Sequence, residues 1–403
     1  MKLGGALGHL TYCSNIHRGE SWPEVLATLQ HHLPAVKAQV SPDERFGVGL
    51  RLSATAAEAL RDQGTFAQLR ELLDQHDLYV FTINGFPYGP FHGVRVKEEV
   101  YQPDWQHEER LVYTDLLADL LAAMLPEDPG LEGSVSTVPG TFKPLSKPTG
   151  VVERIADNMI RHVAHLVLLH ARTGRTVSLA LEPEPYCFLE TIEETVRFFE
   201  DHLFANSAIE RLSNLCGLTY GDAEAAMRRH VGVCYDVCHA AVEYEDPKGG
   251  LEALQRAGIR VPKLQLSAAL RVAKIDSDGA ERLQTFNEPV YLHQVVEREG
   301  SQLTRYLDLP HAFDALNKRG ADGVAREWRI HFHVPIYLDE IEHFTTTQDF
   351  LRDILAIHRG EPVSPHLEVE TYTWDVLPEA DRRDDLSSAI GRELRWVRDQ
   401  LGA

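Results

Sequence analysis

Nine short apolar runs that alternate with longer amphipathic segments constrain the fold of this chain more than any other feature. Apolar residues in the longer segments recur at positions i, i+3, i+4 and i+7, the pattern of a helix packed on one face. Strands that alternate with helices favour βα units and a parallel sheet. The strand-like runs are 9–13, 46–52, 78–84, 133–138, 176–182, 231–236, 262–267, 328–334 and 366–370. The clearest helical segments are 22–40, 54–76, 104–125, 151–173, 191–203 and 386–401.

Eight βα units close into a barrel, so the sequence predicts an α/β fold of the (β/α)8 TIM-barrel class. Nine candidate strands exceed that number by one. We expect residues 328–334 to be the extra strand, because a long irregular stretch at 268–327 precedes them. The surplus over a barrel of roughly 250 residues is expected in long loop insertions near 85–104, 126–150, 204–230 and 268–328. Residues 1–403 are expected to form a single domain.

The acidic composition disfavours several classes of partner. The chain has 40 Lys and Arg against 61 Asp and Glu, which gives a formal charge of −21. Such a field repels nucleic acid and anionic membrane surfaces, so we expect neither as a partner. No apolar stretch approaches the roughly 20 residues of a membrane span, and the N-terminus is a poor signal peptide. We expect a cytoplasmic protein without membrane insertion, with its five cysteines reduced.

Polar side chains stand at the C-terminal ends of four predicted strands. Successive side chains of a strand point to opposite faces. The bulky residues at 177, 179 and 181 therefore direct Glu182 to the opposite, inward face. The same alternation turns Asp236, Gln265 and Glu370 inward. Because the active sites of these barrels lie at the C-terminal ends of the strands, we expect the four side chains to meet at the barrel mouth.

Three carboxylates that converge at one mouth repel one another strongly without a cation. Oxygen ligands suit Mn²⁺, Mg²⁺ or Co²⁺, and the addition of His239, three residues after Asp236, also suits Zn²⁺ or Fe²⁺. The strand ends therefore predict a divalent metal site. The alternative for Asp236 is the N-cap of a following helix. The alternative for a single strand-end glutamate is a solvated or capping carboxylate.

The segment RIHFHVP adds two histidines on one face, His331 and His333. We assign His333 to the metal and His331 to the substrate; the alternative is a strand with one solvated face. Cys234 and Cys238 are expected to pack rather than to bind metal. Cys234 lies deeper in the barrel than Asp236, and Cys238 has the opposite parity.

Further polar residues lie where a substrate could contact them. Ser267 and Arg271 open the long segment before the last strand, and long ordered loops are often binding loops. Glu184 has the same parity as Glu182 and is its rival, but Pro183 favours Glu182 because proline tends to end a regular strand. The alternatives are ordinary turn chemistry and a solvated surface insertion. The predicted substrate-binding residues are Asn84, His92, Glu184, Ser267, Arg271 and His331.

At these strand ends the sequence resembles the xylose-isomerase-like TIM-barrel superfamily of sugar isomerases, ketose 3-epimerases and endonuclease IV-type enzymes. That superfamily places Glu after the fifth strand, Asp-x-x-His after the sixth, usually His on the seventh, and Glu on the eighth. Glu182, Asp236, His239 and Glu370 match this pattern, whereas Gln265 stands where His is usual. Asn84 and Ser136 stand where endonuclease IV-type members carry further histidines. The resemblance implies that Glu182 and Glu370 are catalytic.

Four longer motifs resemble the EboE family, xylose-isomerase-like proteins encoded with a bacterial gene cluster linked to metabolite traffic. They are HLTYCSNIHRGESWPEV, FTINGFPYGPFHG, KLQLSAALR and EPVYLHQV. This resemblance implies a small polar metabolite as ligand and makes partner proteins of that cluster possible.

These observations lead to three hypotheses. The first is a metal-dependent isomerase or epimerase of a sugar-like or cyclitol-like polyol, with or without a phosphate. The second is a metabolite-binding or carrier protein that keeps the pocket without turnover, which the Gln265 replacement motivates. The third is an endonuclease IV-like nuclease, which the charge of −21 disfavours.

Overall fold

The computed structural model describes residues 1–128, 130–320, 323–378 and 385–403. Eight parallel strands form the central sheet, in the order β1-β14-β7-β6-β5-β4-β3-β2. A parallel bridge between Cys13 and Gly49 joins the two edge strands, so the sheet is a nearly closed barrel. The barrel strands are β1 (His9–Tyr12), β2 (Phe46–Arg51), β3 (Leu78–Asn84), β4 (Gly133–Thr137), β5 (Val177–Leu181), β6 (Val231–Asp236), β7 (Arg260–Leu266) and β14 (His366–Val369).

Helices flank the barrel. Several begin at a side chain that accepts a hydrogen bond from the first turn, such as Asp62 and Asp385, which is the usual way to satisfy free backbone N–H groups. The helices are α1 (Trp22–Val40), α2 (Ala54–Ala59), α3 (Gln63–Gln75), α4 (Glu108–Met124), α5 (Val151–Thr173), α6 (Ile192–Phe198), α7 (Asn206–Cys216), α8 (Tyr220–His230), α9 (Val237–Val242), α10 (Pro247–Arg256), α11 (Ser277–Leu283), α12 (Leu309–Arg319), α13 (Gln348–Gly360) and α14 (Leu386–Leu401). None of these described helices combines the length and apolar composition that crossing a membrane requires.

A second sheet is inserted between β7 and β14. Its six strands are antiparallel, in the order β10-β9-β11-β8-β13-β12. They are β8 (Leu270–Val272), β9 (Val295–Glu299), β10 (Gln302–Tyr306), β11 (Glu327–Ile330), β12 (Glu340–Ile341) and β13 (Phe344–Thr346). We call this the accessory sheet. Strand β11 lies within it, which confirms that residues 328–334 hold the extra strand.

The barrel prediction is confirmed, and three segments differ from expectation. Residues 204–230 form α7 and α8 rather than a loop, and residues 268–328 contain strands and helices of the accessory sheet region. The helix predicted at 54–76 divides because Asp62 caps a new helix through Thr65 N at 2.9 Å. Residues 129 and 321–322, within two of the expected loops, lie outside the described residues.

The inward faces of the strands carry small residues where large side chains must enter. A Cβ atom on Gly49 of β2 would lie 1.9 Å from Glu368 Oε1. The glycine therefore leaves the space that the Glu368 side chain of β14 occupies inside the barrel. The bulky outward residues of β5, Val177, Leu179 and Leu181, belong to the hydrophobic core. The strand alternation predicted from sequence therefore matches the packing of the barrel.

Candidate functional site

The C-terminal ends of the barrel strands surround a cavity. Glu182 directly follows β5, Asp236 is the last residue of β6, and Glu370 directly follows β14. The accessory sheet region contributes Tyr291, Leu292 and His331 to the wall. We call the polar end of the cavity the floor; it is lined by Asn15, Asn84, Glu182, Glu184, His239, His331 and Glu370.

Three buried carboxylates meet at the floor: Glu182 and Glu370 line it, and Asp236 lies directly behind it. Glu182, Asp236 and Glu370 are at most 4% exposed, and one oxygen of each lies within 4.8 Å of the others. No Lys or Arg of the described chain forms an ion pair with any of the three. Burial raises the pKa of Glu182 well above its usual value, and the charges of Glu370 and Asp236 raise it further. Burial also raises the pKa of Glu370. The geometry gathers three acidic groups without a directly paired Lys or Arg among the described residues, and Lys263 acts on Glu182 only through its charge.

Amide groups orient Glu370. Its Oε1 accepts hydrogen bonds from Asn15 Nδ2 at 2.7 Å and from Asn84 Nδ2 at 3.0 Å. Asn84, predicted to bind substrate, therefore lines the cavity and also positions a carboxylate. Asn15 was not predicted, although it follows β1 as Asn84 ends β3, and the strand-end argument applied to YCSN would have identified it.

Three histidines point their Nε2 atoms at one another. His331 Nε2 lies 3.0 Å from His239 Nε2 and 3.2 Å from His333 Nε2. All three side chains are at most 5% exposed. Burial lowers the pKa of His239 to about 4 and that of His331 well below its usual value, so both rings are neutral at pH 7.

The opposite nitrogen of each ring determines its tautomer. His239 Nδ1 bonds Pro183 O at 2.9 Å, and His333 Nδ1 bonds Glu370 O at 3.0 Å. Carbonyl oxygens only accept hydrogen bonds, so the proton of each ring resides on Nδ1. His331 Nδ1 lies 2.8 Å from Gln294 Oε1, which is likewise an acceptor.

Gln294 is oriented by its own neighbours. Its Nε2 donates to Tyr101 OH at 2.9 Å and to Pro185 O at 3.2 Å, which turns Oε1 toward His331. The Nε2 lone pairs of His239 and His331 consequently face each other, and His333 Nε2 points at His331 Nε2. Nδ1–H bonds to carbonyl groups behind the ring are the arrangement that metal-ligating histidines use.

The spacing of the imidazoles fits a metal ion. Zn–N bonds of about 2.0–2.1 Å in tetrahedral geometry place ligand nitrogens roughly 3.3 Å apart. The observed separations of 3.0 and 3.2 Å are close to that value. The carboxylate set fits as well, because Glu182 Oε2 and Asp236 Oδ2 are buried without a hydrogen-bond partner. Both donor sets therefore suit a divalent cation.

Asp236 joins the two sets. Its Oδ1 accepts from His239 N at 3.0 Å and from Ser267 Oγ at 2.7 Å, and it caps α9. The helix-cap alternative for Asp236 is thus realised by one oxygen. The other oxygen, Oδ2, lies 4.0 Å from His239 Nε2 and remains available to a ligand. One carboxylate can therefore cap the helix and face both donor groups.

Glu184 also lies on the floor. Its Oε1 accepts from Tyr101 OH at 2.8 Å and lies 3.6 Å from His331 Nδ1. Burial raises the pKa of Glu184 to about 8. Tyr101 was not predicted; it lies in a short 3-10 helix at Lys97–Tyr101 within a segment expected to be loop, and no local pattern marks it.

Six predicted residues lie outside the cavity lining. Two of them, Asp236 and His333, bond floor residues: Asp236 accepts from His239 N, and His333 Nδ1 bonds Glu370 O. Ser267 bonds Asp236, and Gln265 Oε1 accepts from Cys234 Sγ at 3.8 Å inside the barrel. His92 bonds Asn15 O and, at 2.7 Å, Tyr291 OH. Arg271 forms ion pairs with Glu327 at 3.0 Å and Asp349 at 3.2 Å. Ser267 and His92 therefore contact residues of the site from behind, Ser267 through Asp236 and His92 through Asn15 and Tyr291. Arg271 instead pairs with Glu327 and Asp349, outside the cavity.

Comparison with known proteins identifies the fold. No protein-family model matches the chain, and no curated protein matches its sequence. A xylose isomerase-like TIM barrel protein from Mycobacterium smegmatis, solved in complex with magnesium, matches with a TM-score of 0.52 at 11% identity. The match covers 99% of this chain and 98% of that chain.

Two further solved structures match at lower scores. The 3-keto-D-glucoside 4-epimerase from E. coli has a TM-score of 0.44 at 14% identity, covering 97% of this chain and 99% of that chain. An IOLI protein with a bound zinc atom has a TM-score of 0.43 at 12% identity, covering 98% of each chain. The match to the Mycobacterium smegmatis protein, with its TM-score of 0.52 and 11% identity, shows the fold alone. The chain has the xylose isomerase-like TIM-barrel fold.

Proposed function

We propose that this chain is a divalent-metal-dependent isomerase or epimerase of a sugar-like or cyclitol-like polyol. The observation that carries the proposal is that three buried carboxylates and three imidazole rings meet at and directly behind the floor of one cavity. The resemblance to the EboE family supports a role in the biosynthesis or traffic of a small metabolite.

Two neighbouring donor sets would hold the metal. The carboxylate set is Glu182, Asp236 and Glu370. The imidazole set is His239, His331 and His333, and Asp236 also groups with His239 and His333. Carboxylate oxygens favour Mn²⁺ or Mg²⁺, whereas imidazole nitrogens favour Zn²⁺ or Co²⁺. A divalent cation bound there supplies Lewis acidity to the carbonyl and hydroxyl oxygens of a substrate. Gln265 lies beside Asp236 in the register of β6 and β7 and is retained as a candidate ligand.

Glu182 and Glu370 are proposed to move the proton. They come from β5 and β14, whose ends face the cavity from different sides of the barrel, so a substrate carbon can lie between them. One carboxylate removes a proton from one face, and the other returns a proton to the opposite face. Burial raises the pKa of both carboxyl groups above their usual value, which favours holding a proton for transfer.

The first test is metal content. Protein purified without chelator is expected to carry close to one equivalent or more of a divalent ion, with a lower melting temperature after EDTA treatment. Less than about a tenth of an equivalent, together with no thermal shift on adding Mn²⁺, Co²⁺ or Zn²⁺, would contradict the proposal.

The second test uses isosteric variants. Glu182→Gln and Glu370→Gln are expected to fold, to lose most metal affinity and to abolish exchange of carbon-bound hydrogen in D₂O for a panel of ketohexoses and inososes. Glu393→Gln is the control, because Glu393 is a buried carboxylate outside the cavity lining. If Glu182→Gln keeps metal and exchange while Glu184→Gln loses both, Glu184 has the role assigned to Glu182. A compound that binds stoichiometrically without exchange supports the carrier alternative.

A further inference from the structure

The lining of the cavity at the barrel mouth has two unlike parts. The floor carries carboxylates, imidazoles and amides, as described above. Another part presents carbon atoms; we call it the apolar wall, formed by Phe86, Pro87, Phe91, Val96, Val100 and Leu292. Phe91 and Val96 are buried together with Tyr291 and Tyr372 in a small hydrophobic cluster at this wall.

Two of the three tyrosine hydroxyl groups beside the apolar wall are already bonded within the protein. Tyr101 OH donates to Glu184 Oε1 at 2.8 Å. Tyr291 OH lies 2.7 Å from His92 Nδ1. These two hydroxyl groups are committed to protein partners. Among the described residues beside this wall, Tyr372 offers one further hydroxyl. A substrate covered with hydroxyl groups would therefore lose more hydrogen bonds to water here than it gains, which is unfavourable.

The charge of the cavity does not suit a phosphate. Among the described residues, Lys97 is the one Lys or Arg that lines the cavity. Its Nζ lies 2.6 Å from Asp308 Oδ2, and both side chains are about nine-tenths buried. A phosphate would have to compete with Asp308 for this cation and would also face the floor carboxylates, which repel an anion.

We propose that the substrate joins a polyol head to an uncharged apolar group of several carbons and carries no phosphate. The polyol head occupies the floor, an assignment that rests on the proposed function. The apolar group lies against Val96, Val100 and Leu292, where its burial from water stabilises the complex. Both halves of the ligand thus meet surfaces of their own polarity within one continuous cavity.

A series of alkyl glucosides tests this division. Methyl, butyl and hexyl β-D-glucopyranoside, together with glucose 6-phosphate, are titrated into the protein by isothermal calorimetry below micelle-forming concentrations. Each buried methylene tightens binding roughly three- to four-fold, so butyl glucoside is expected to bind at least about tenfold more tightly than methyl glucoside. Glucose 6-phosphate is expected to bind no more tightly than methyl glucoside. Equal affinities across the alkyl series, or tightest binding of the phosphate, overturns the proposal.

Two variants in the same segment make the test specific. Val100→Asn places an amide on the apolar wall and is expected to remove most of the dependence on chain length. Val94→Asn is the matched control, because Val94 is 47% exposed and does not line the cavity. A chain-length dependence that survives Val100→Asn unchanged, or that Val94→Asn removes equally, places the alkyl group elsewhere and overturns the proposal.

The titrations are read separately from metal content and hydrogen exchange. Chain-length dependence in protein that neither holds metal nor exchanges hydrogen supports the apolar wall and contradicts the proposed function. A metal-loaded, exchanging protein without chain-length dependence supports the proposed function and contradicts this inference. The two failures are therefore distinguishable.

Discussion

Glu368 and Glu370 lie two residues apart at the end of β14, and both are buried, yet their surroundings differ. Glu368 Oε2 lies 2.5 Å from Lys263 Nζ, and both side chains are fully buried. Glu370 has amide partners and His333 nearby, but no Lys or Arg ion pair among the described residues. Glu368, which has a lysine partner, stabilises the inside of the barrel. Glu370, which has no Lys or Arg partner among the described residues, instead lies with two other carboxylates beside the Nε2 atoms of three histidines, as a metal site requires.

The pKa of Lys263 supports this distinction. Burial lowers the pKa of Lys263, but Glu368 and the other acidic groups around it, among them Glu182, together outweigh burial and raise that pKa. Lys263 Nζ also lies 3.3 Å from Ser136 Oγ of β4. Lys263 therefore stays charged and connects β7, β14 and β4 across the inside of the barrel.

The largest expected effect breaks the pair inside the barrel. Lys263→Met leaves Glu368 buried without a cation, which typically costs about 3–5 kcal/mol of folding stability. Urea denaturation measures the loss. The double variant Lys263→Met with Glu368→Leu is expected to recover most of it, because a well-packed apolar pair can replace a buried ion pair. A single variant that keeps its stability but loses its metal would instead place Lys263 in the site.

Glu393 is a second buried carboxyl group, and its hydrogen-bond partners are uncharged. Glu393 Oε1 accepts from Thr371 Oγ1 at 2.7 Å and from Ile336 N at 3.2 Å, and burial raises the pKa of Glu393 to about 7. The folded state therefore holds a proton that the unfolded chain releases near pH 4.5. Its stabilising contribution is complete below pH 4.5 and is lost as pH rises through about 7.

Glu393→Gln should remove this dependence. At pH 8 the variant is expected to be more stable than the parent by up to about 3 kcal/mol, and near pH 4 the two are expected to be similar. Unfolding free energies measured across this range test the sign. A variant that is less stable than the parent at pH 8 would show that the protein stabilises the ionised form of Glu393. It would also weaken the inference that burial raises the pKa of Glu370.

The sequence predicts the carboxylate half of the site because that half depends on local geometry. Strand alternation alone directs Glu182, Asp236 and Glu370 inward, and parallel strands bring their C-terminal ends to one mouth. The structure places all three there.

The imidazole half depends on contacts between distant segments. His331 and His333 follow β11 of the accessory sheet, and only the folded insertion brings them to His239, about 90 residues earlier. Gln294, which orients His331, is the residue directly before β9. Strand parity within RIHFHVP could place the two histidines on one face, but it could not predict that their Nε2 atoms meet that of His239. The same limit applies to Tyr101 in its 3-10 helix.

The smallest of the expected effects concerns Ser267. It does not line the cavity, but it contacts Asp236, a proposed metal-binding residue. Its Oγ donates to Asp236 Oδ1 at 2.7 Å and accepts from Cys238 N at 2.9 Å, so it fixes the carboxylate that joins the two donor sets. Groups that orient metal ligands typically contribute about 10- to 100-fold in metal affinity.

Ser267→Ala is therefore expected to lower metal affinity by about 10- to 100-fold, measured by competition with a chelating indicator, with little change in metal-free stability. Ser178→Ala is the matched control, because Ser178 is a buried serine near the N-terminal end of β5, away from the C-terminal strand ends, and its Oγ donates to Arg229 O at 3.0 Å. If both variants lower metal affinity equally, the effect reflects general loosening of the barrel. If Ser267→Ala alone lowers metal affinity, Asp236 is a ligand whose orientation matters. Asp236 at the end of β6 would then belong with Glu370, as a carboxylate that binds metal, rather than with Glu368, as one that pairs with a lysine.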